Sequence, residues 1–173
     1  MADLGTVIIA ASITGAGLVT GLLFAFSNFV MKALADLPAD KGMFAMQRIN
    51  ETIINPVFLT LFLGTPLLCS LTAVNSVLNI QEPGSLFLLA GALVYLIGPF
   101  GITMLFNVPL NNLLARAGVS DADEVWPVYQ KRWQWWNHIR TYIGIASIVL
   151  MSMGLGSVEQ ESVIGDRSQL NAG

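Results

Sequence analysis

TIINPVFLTLFLGTPLLCSLTAVNSVLNIQEPGSLFLLAGALVYLIGPFGITMLFNVPLNNLLA, residues 52–115, contains a single charged side chain, Glu82. On each side of it the apolar run exceeds the roughly 18 residues that cross a bilayer. The turn between them, Asn79 to Gly84, is short enough to make the two helices antiparallel neighbours. Working outward, residues 4–31 and 141–158 also lack Asp, Glu, Lys and Arg. The pattern predicts an all-α protein, a four-transmembrane-helix bundle of antiparallel up-down topology with spans near 4–32, 54–78, 85–108 and 135–156. These spans form one membrane domain over 1–156, and a polar tail, expected to fray, occupies 157–173. Composition agrees, with 54% hydrophobic and 11% charged residues and a mean hydropathy of +0.67, values foreign to soluble domains.

Several functions are excluded early. The first span begins after Asp3, lacks an early basic residue and is too long for a secretory signal, so an uncleaved helix is expected. Cys69 is the sole cysteine, which rules out an internal disulfide or a thiolate metal cluster and leaves packing as its role. The net charge of −3 gives no electrostatic footprint for nucleic acid. Lys32, Lys41 and Arg48 lie between spans 1 and 2, and Arg116, Lys131 and Arg132 between spans 3 and 4. The positive-inside rule therefore places both loops in the cytoplasm and both termini outside, as in a bacterial-type plasma membrane.

Local signals refine the bundle. Gly17 and Gly21 have the spacing that lets membrane helices approach, within the chain or in a homo-oligomer or with a membrane subunit partner. Asp40 is placed to cap a short interfacial helix before span 2, with Met43, Phe44, Met46, Ile49 and Ile53 as its apolar face. Pro56 is expected to bend the chain into the bilayer, and Gly98-Pro99 and Pro109 to interrupt span 3. Ser120 and Asp123 fit a capping box that starts helix 4 as a cytoplasmic extension, passing through Pro127.

The polar residues are the candidates for chemistry. The last charge-free window has 18 residues, about 27 Å of helix, slightly short of the hydrocarbon core, so the span borrows residues back to Trp135 or Trp136. Arg140 then lies within the bilayer, where a cation is costly and by default marks a functional site. At about 100° per residue, Tyr129, Trp133, Trp136, Asn137, Arg140, Gly144 and Ser147 form one bundle-facing stripe. Trp135, His138, Tyr142, Ile145 and Val149 form the opposite, lipid-facing one. His138, the only histidine, is a base, a haem or metal ligand, or an interfacial anchor, and it faces away from Arg140. Asn28, Gln47, Asn50, Asn55, Asn107 and Asn111 fall at the same end of the bundle. Either these amides are structural glue, or they and Arg140 line a pocket roofed by Trp133 and Trp136.

The order Gln47-Arg48-Ile49-Asn50, Asn107-Val108-Pro109-Leu110-Asn111-Asn112 and Trp133-Gln134-Trp135-Trp136-Asn137-His138-Ile139-Arg140 resembles the anthrone-oxygenase-like family of small four-helix membrane proteins. A few fungal members of that family, most of which is uncharacterised, are associated with oxidising anthrones to anthraquinones with molecular oxygen and no dedicated metal or flavin. The resemblance implies that Arg140, Asn137, Asn107 and Asn111 stabilise an oxyanion and that Trp133 and Trp136 stack on a small hydrophobic or aromatic substrate, with Asn50 and Gln47 beside it. It leaves the base unassigned between His138 and a group elsewhere. No cofactor motif is recognisable, and haem through His138 is a minor option. A non-catalytic module binding a lipid, quinone or partner protein is the competing reading. A small exporter is less favoured because the spans hold no Asp or Glu.

Overall fold

The computed structural model describes the backbone of residues 4–170 and the side chains as far as residue 158. Among the described residues the structure is entirely helical. Helix α1 spans Leu4–Ala35, α2 Ala39–Thr52, α3 Pro56–Leu78, α4 Ser85–Leu114 and α5 Ala122–Leu170, the last entered through a 3-10 turn at Val119–Asp121. Four of these, α1, α3, α4 and α5, are long and apolar enough to cross a membrane. The chain is an integral membrane protein built as a four-helix bundle.

Contacts run from α3 to α1, α1 to α5, α5 to α4 and α4 back to α3, the ring expected of up-down connectivity. The closure is uneven. α3 packs along Ser85–Tyr95, the first part of α4, and only sparsely against the Leu96–Asn107 stretch that follows. α2 lies across the end of the bundle that carries the basic loops, burying Met43 and Met46 against Trp126 and Leu114. Each such burial contributes about 1.5–3 kcal/mol where the alternative is water. A second apolar cluster, with Ile9, Cys69, Leu88, Tyr95 and Met151, fills the opposite end. Cys69 is buried there as a packing residue.

Several local expectations change. Span 3 is not interrupted at Pro99: α4 continues as a π-helical stretch, Leu96–Asn107, whose wider turn absorbs the missing amide. A shorter π stretch, Phe26–Val30, lies in α1. Pro56 does not bend a helix but begins one, with Asn55 Oδ1 accepting the Phe58 amide at 3.0 Å as N-cap. Asp40 lies inside the first turn of α2, not at its cap. Asp121, not Asp123, accepts the Gly118 amide at 3.0 Å before α5. The tail expected from 157 is helical in backbone as far as Leu170, and residues 171–173 lie outside the described residues.

Close helix approach also uses different glycines. A Cβ on Gly17 or Gly21 would meet nothing within 4 Å, so that pair faces outward. A Cβ on Gly144 would lie 2.5 Å from Thr20 Oγ1 and 3.1 Å from Pro99. One on Gly91 would lie 2.8 Å from the Met151 backbone nitrogen. These sites bring α5 against α1 and α4, and so fix where the α5 stripe sits.

Candidate functional site

The stripe on α5 faces inward because its residues recur at helical spacing among small neighbours that admit close packing. Tyr129, Trp133, Asn137, Arg140, Gly144 and Ser147 are all buried, whereas Trp135, Tyr142, Ile145 and Val149 are exposed. Arg140 is only 5% exposed.

Asn137 organises the centre. Its Nδ2 donates to the Leu23 carbonyl at 2.9 Å and to Ser27 Oγ at 2.8 Å. Its Oδ1 is thereby left to accept from Arg140, at 3.1 Å from Nε and 2.8 Å from Nη2. The Thr141 hydroxyl donates to the Asn137 carbonyl at 2.7 Å, so in the 3.2 Å contact between Ser27 and Thr141 it is Ser27 that donates. Arg140 Nη1 reaches across to α4 and donates to Thr103 Oγ1 at 2.6 Å. Thr103 can accept because its own proton goes to the Pro99 carbonyl in the π-helical stretch. The Trp133 ring lies under the guanidinium, 5.2 Å from centroid to Cζ, a cation–π contact.

All of Arg140's partners are therefore neutral. The ion pairs among the described residues are Lys41–Asp40 and Arg48–Glu51, both on the surface. A buried cation costs several kcal/mol, and amides, a hydroxyl and a π face offset only part of it. Of the five guanidinium N–H groups, one on Nη1 and one on Nη2 are not used by these bonds.

Arg140 and Trp133 line a cavity of about 430 Å³ reaching from α1 and α5 to α2, α3 and α4, a volume typical of small-molecule sites. Val19, Leu23, Phe26, Phe58 and Phe62 supply apolar walls. Gln47, Asn50 and Asn111 also line it. Two further buried donors on wall residues, Trp133 Nε1 and Asn50 Nδ2, have no hydrogen-bond partner. Asn50 lies beside the Tyr129 hydroxyl without bonding geometry, and that hydroxyl donates to Asn111 Oδ1 at 2.9 Å. The Trp133 and Asn50 donors are enclosed in the wall, and it is the two N–H groups of Arg140 left unused by its bonds to Asn137 and Thr103 that form the complement of an acceptor or an anion.

The amides divide between the two roles read from the sequence. Gln47 faces the cavity yet donates to the Leu114 and Ala117 carbonyls at 2.8 and 3.2 Å, tying α2 to the end of α4. Asn107 donates to the Trp133 carbonyl at 3.2 Å and, like Asn137, does not line the cavity. Trp136 is no roof: it stacks on Phe106, centroids 3.8 Å apart and planes 12° apart, outside the cavity wall. His138 is partly buried, off the cavity wall and without a hydrogen bond among the described residues. His138→Gln should leave ligand binding within about twofold of the parent, the usual reach of a substitution outside a site; a larger loss on titration with an anthrone-type phenol would bring it back into the site.

The anthrone oxygenase family matches residues 57–150 of the chain. The chain belongs to the anthrone oxygenase family. No curated protein and no solved structure matches it. The family-matched region contains Thr103, Asn107, Asn111, Trp133, Asn137 and Arg140, while the α2 residues Gln47, Asn50 and Glu51 lie outside it. Thr103, Ser27 and Glu51 were not singled out in the sequence. Thr103 and Ser27 are ordinary hydroxyls in apolar spans until the bundle brings them to α5. Among the described residues Glu51 is the one carboxylate on the cavity wall, where it pairs with Arg48 at the exposed rim.

Proposed function

We propose that this member of the anthrone oxygenase family binds a hydrophobic aromatic molecule with an ionisable oxygen in the Arg140 cavity and oxidises it with molecular oxygen. In this reading the basic-loop end of the bundle faces the cytoplasm. The observation that carries the reading is a buried arginine with only neutral partners, opening on a mainly apolar cavity. An oxyanion supplies the missing countercharge, and it does so most strongly when negative charge develops on the substrate.

The chemistry balances without a bound redox group. A base takes one proton from the methylene carbon of an anthrone, and the charge spreads to the carbonyl oxygen, held by Arg140. The carbanion passes an electron to dioxygen, and the radical pair combines into a carbon–oxygen bond. The resulting peroxide is protonated; loss of the second hydrogen from carbon breaks the O–O bond and expels water. The methylene becomes a carbonyl, one oxygen atom ending in the product and the other in water. Phe58 and Phe62 offer apolar surface against which the rings can lie.

Glu51 is the group we assign as base. Its surface pair with Arg48 is weak and easily surrendered. Glu51→Gln should lower turnover on the order of a hundredfold with substrate affinity retained, as for loss of a general base; unchanged turnover would remove Glu51 from the mechanism. The function itself is tested by supplying the purified protein in lipid vesicles with 1,8-dihydroxyanthrone and following oxygen uptake and quinone formation. Uptake above protein-free vesicles is expected, and its absence would contradict the enzymatic reading.

A further inference from the structure

The cavity is not sealed from the sides of the bundle. Three residues of its wall, Leu59, Leu63 and Met104, are 38%, 55% and 45% exposed. All three belong to charge-free, membrane-crossing helices, so the exposed faces of Leu63 and Met104, well inside those helices, meet lipid. Leu59 and Leu63 are four apart on α3, and Met104 and Val108 are four apart on α4, so each pair forms one edge of a gap. The gap falls where α3 leaves α4 after Tyr95. The same cavity also reaches Glu51 and Asn112, both exposed at the basic-loop end.

We propose that the ligand is loaded sideways from the bilayer, through the slot between α3 and α4 framed by Leu59, Leu63, Met104 and Val108. The ligand class is then a membrane-dissolved amphiphile, whose acidic or acceptor head reaches Arg140 and whose apolar remainder rests inside the slot against Phe58 and Phe62. This rests on the binding site described above. An aromatic substrate concentrates in the bilayer because transfer from water is favourable in proportion to its apolar area. A side opening lets it reach the cation without recrossing water. The polar mouth at Glu51 and Asn112 is left for protons and water, which the bilayer side cannot supply.

The test uses the full chain in phosphatidylcholine vesicles with 1,8-dihydroxyanthrone as probe, following quenching of tryptophan fluorescence by stopped flow. Narrowing the slot with Leu63→Phe plus Met104→Phe should slow association and dissociation together, each by at least about tenfold, with the equilibrium constant nearly unchanged. That equal slowing marks a portal; a binding contact would change the equilibrium constant instead. Leu105→Phe, on the same helix but off the cavity wall, should leave both rates as in the parent. The single variants Leu63→Phe and Met104→Phe carry the same test should the double variant fold poorly, because both positions already face lipid. Binding that depends on Arg140 but keeps parental rates in the narrowed variants would overturn lateral loading alone. Absence of binding by the parent, or binding indifferent to Arg140→Met, would overturn the site and the loading route together.

Discussion

Arg140→Met is expected to reduce oxygen uptake with 1,8-dihydroxyanthrone by at least a hundredfold, the scale of losing one oxyanion donor from a preorganised site. The same variant should unfold close to the parent. Removing a buried charge that has only neutral partners recovers its desolvation cost, but it leaves Asn137 Oδ1 without the two N–H groups it accepts. An unsatisfied buried acceptor costs about 1–3 kcal/mol, so the two effects nearly cancel. Arg140→Lys keeps the charge but cannot hold Asn137 through two nitrogens while reaching Thr103, and should fall between parent and Met. Retained uptake in Arg140→Met, with unfolding in detergent unchanged, would show that the cation is structural.

Gly91→Ala is expected to cost far more stability than so small a change suggests. The added methyl would lie 2.6 Å from Met151 Cγ, 2.8 Å from the Met151 nitrogen and 3.0 Å from the Ser147 carbonyl. Two of those neighbours are backbone and cannot turn aside. Helix α5 must then move off α4, stretching the 2.8 Å hydrogen bond from the Ser147 hydroxyl to the Gly91 carbonyl. Overpacking of this kind costs about 1–3 kcal/mol, which outweighs the helix-propensity gain of about 1 kcal/mol from replacing glycine. Gly17→Ala and Gly21→Ala meet open space and should be neutral or slightly stabilising by the same propensity. Thermal unfolding in detergent micelles separates the three variants; equal midpoints would mean that the α4–α5 contact is looser than the geometry states.

The contrast between these glycines shows what the sequence could and could not reveal. Charge-free windows mark membrane helices because a bilayer admits few ionised side chains, and that signal needs no partner. The α5 stripe was equally legible, since helical phase alone places Trp133, Asn137 and Arg140 together. Which glycines meet a neighbour depends on the ring order of helices, and a spacing such as Gly17 and Gly21 carries no such information. The π stretches at Phe26–Val30 and Leu96–Asn107 leave no periodic trace, yet the second turns Thr103 toward Arg140 and Phe106 toward Trp136. That is why Trp136, in phase with the site on an ideal helix, stacks outside it. Glu51 falls off the apolar face that the sequence marks on the interfacial helix, so nothing in the pattern points to it, whereas α2 folds beneath the bundle and carries it to the cavity rim.

The central claim is that Arg140 holds an oxyanion in the cavity, and the ionisation of a bound phenol measures it directly. A cation stabilises the deprotonated form, so the phenol of 1,8-dihydroxyanthrone should titrate at lower pH when bound than when dissolved in protein-free vesicles of the same lipid. Followed under anaerobic conditions by the absorbance of the phenolate, a downward displacement of at least about one pH unit is predicted, equivalent to about 1.4 kcal/mol of preference for the anion. A bound phenol that titrates at the vesicle value or above it would contradict the account.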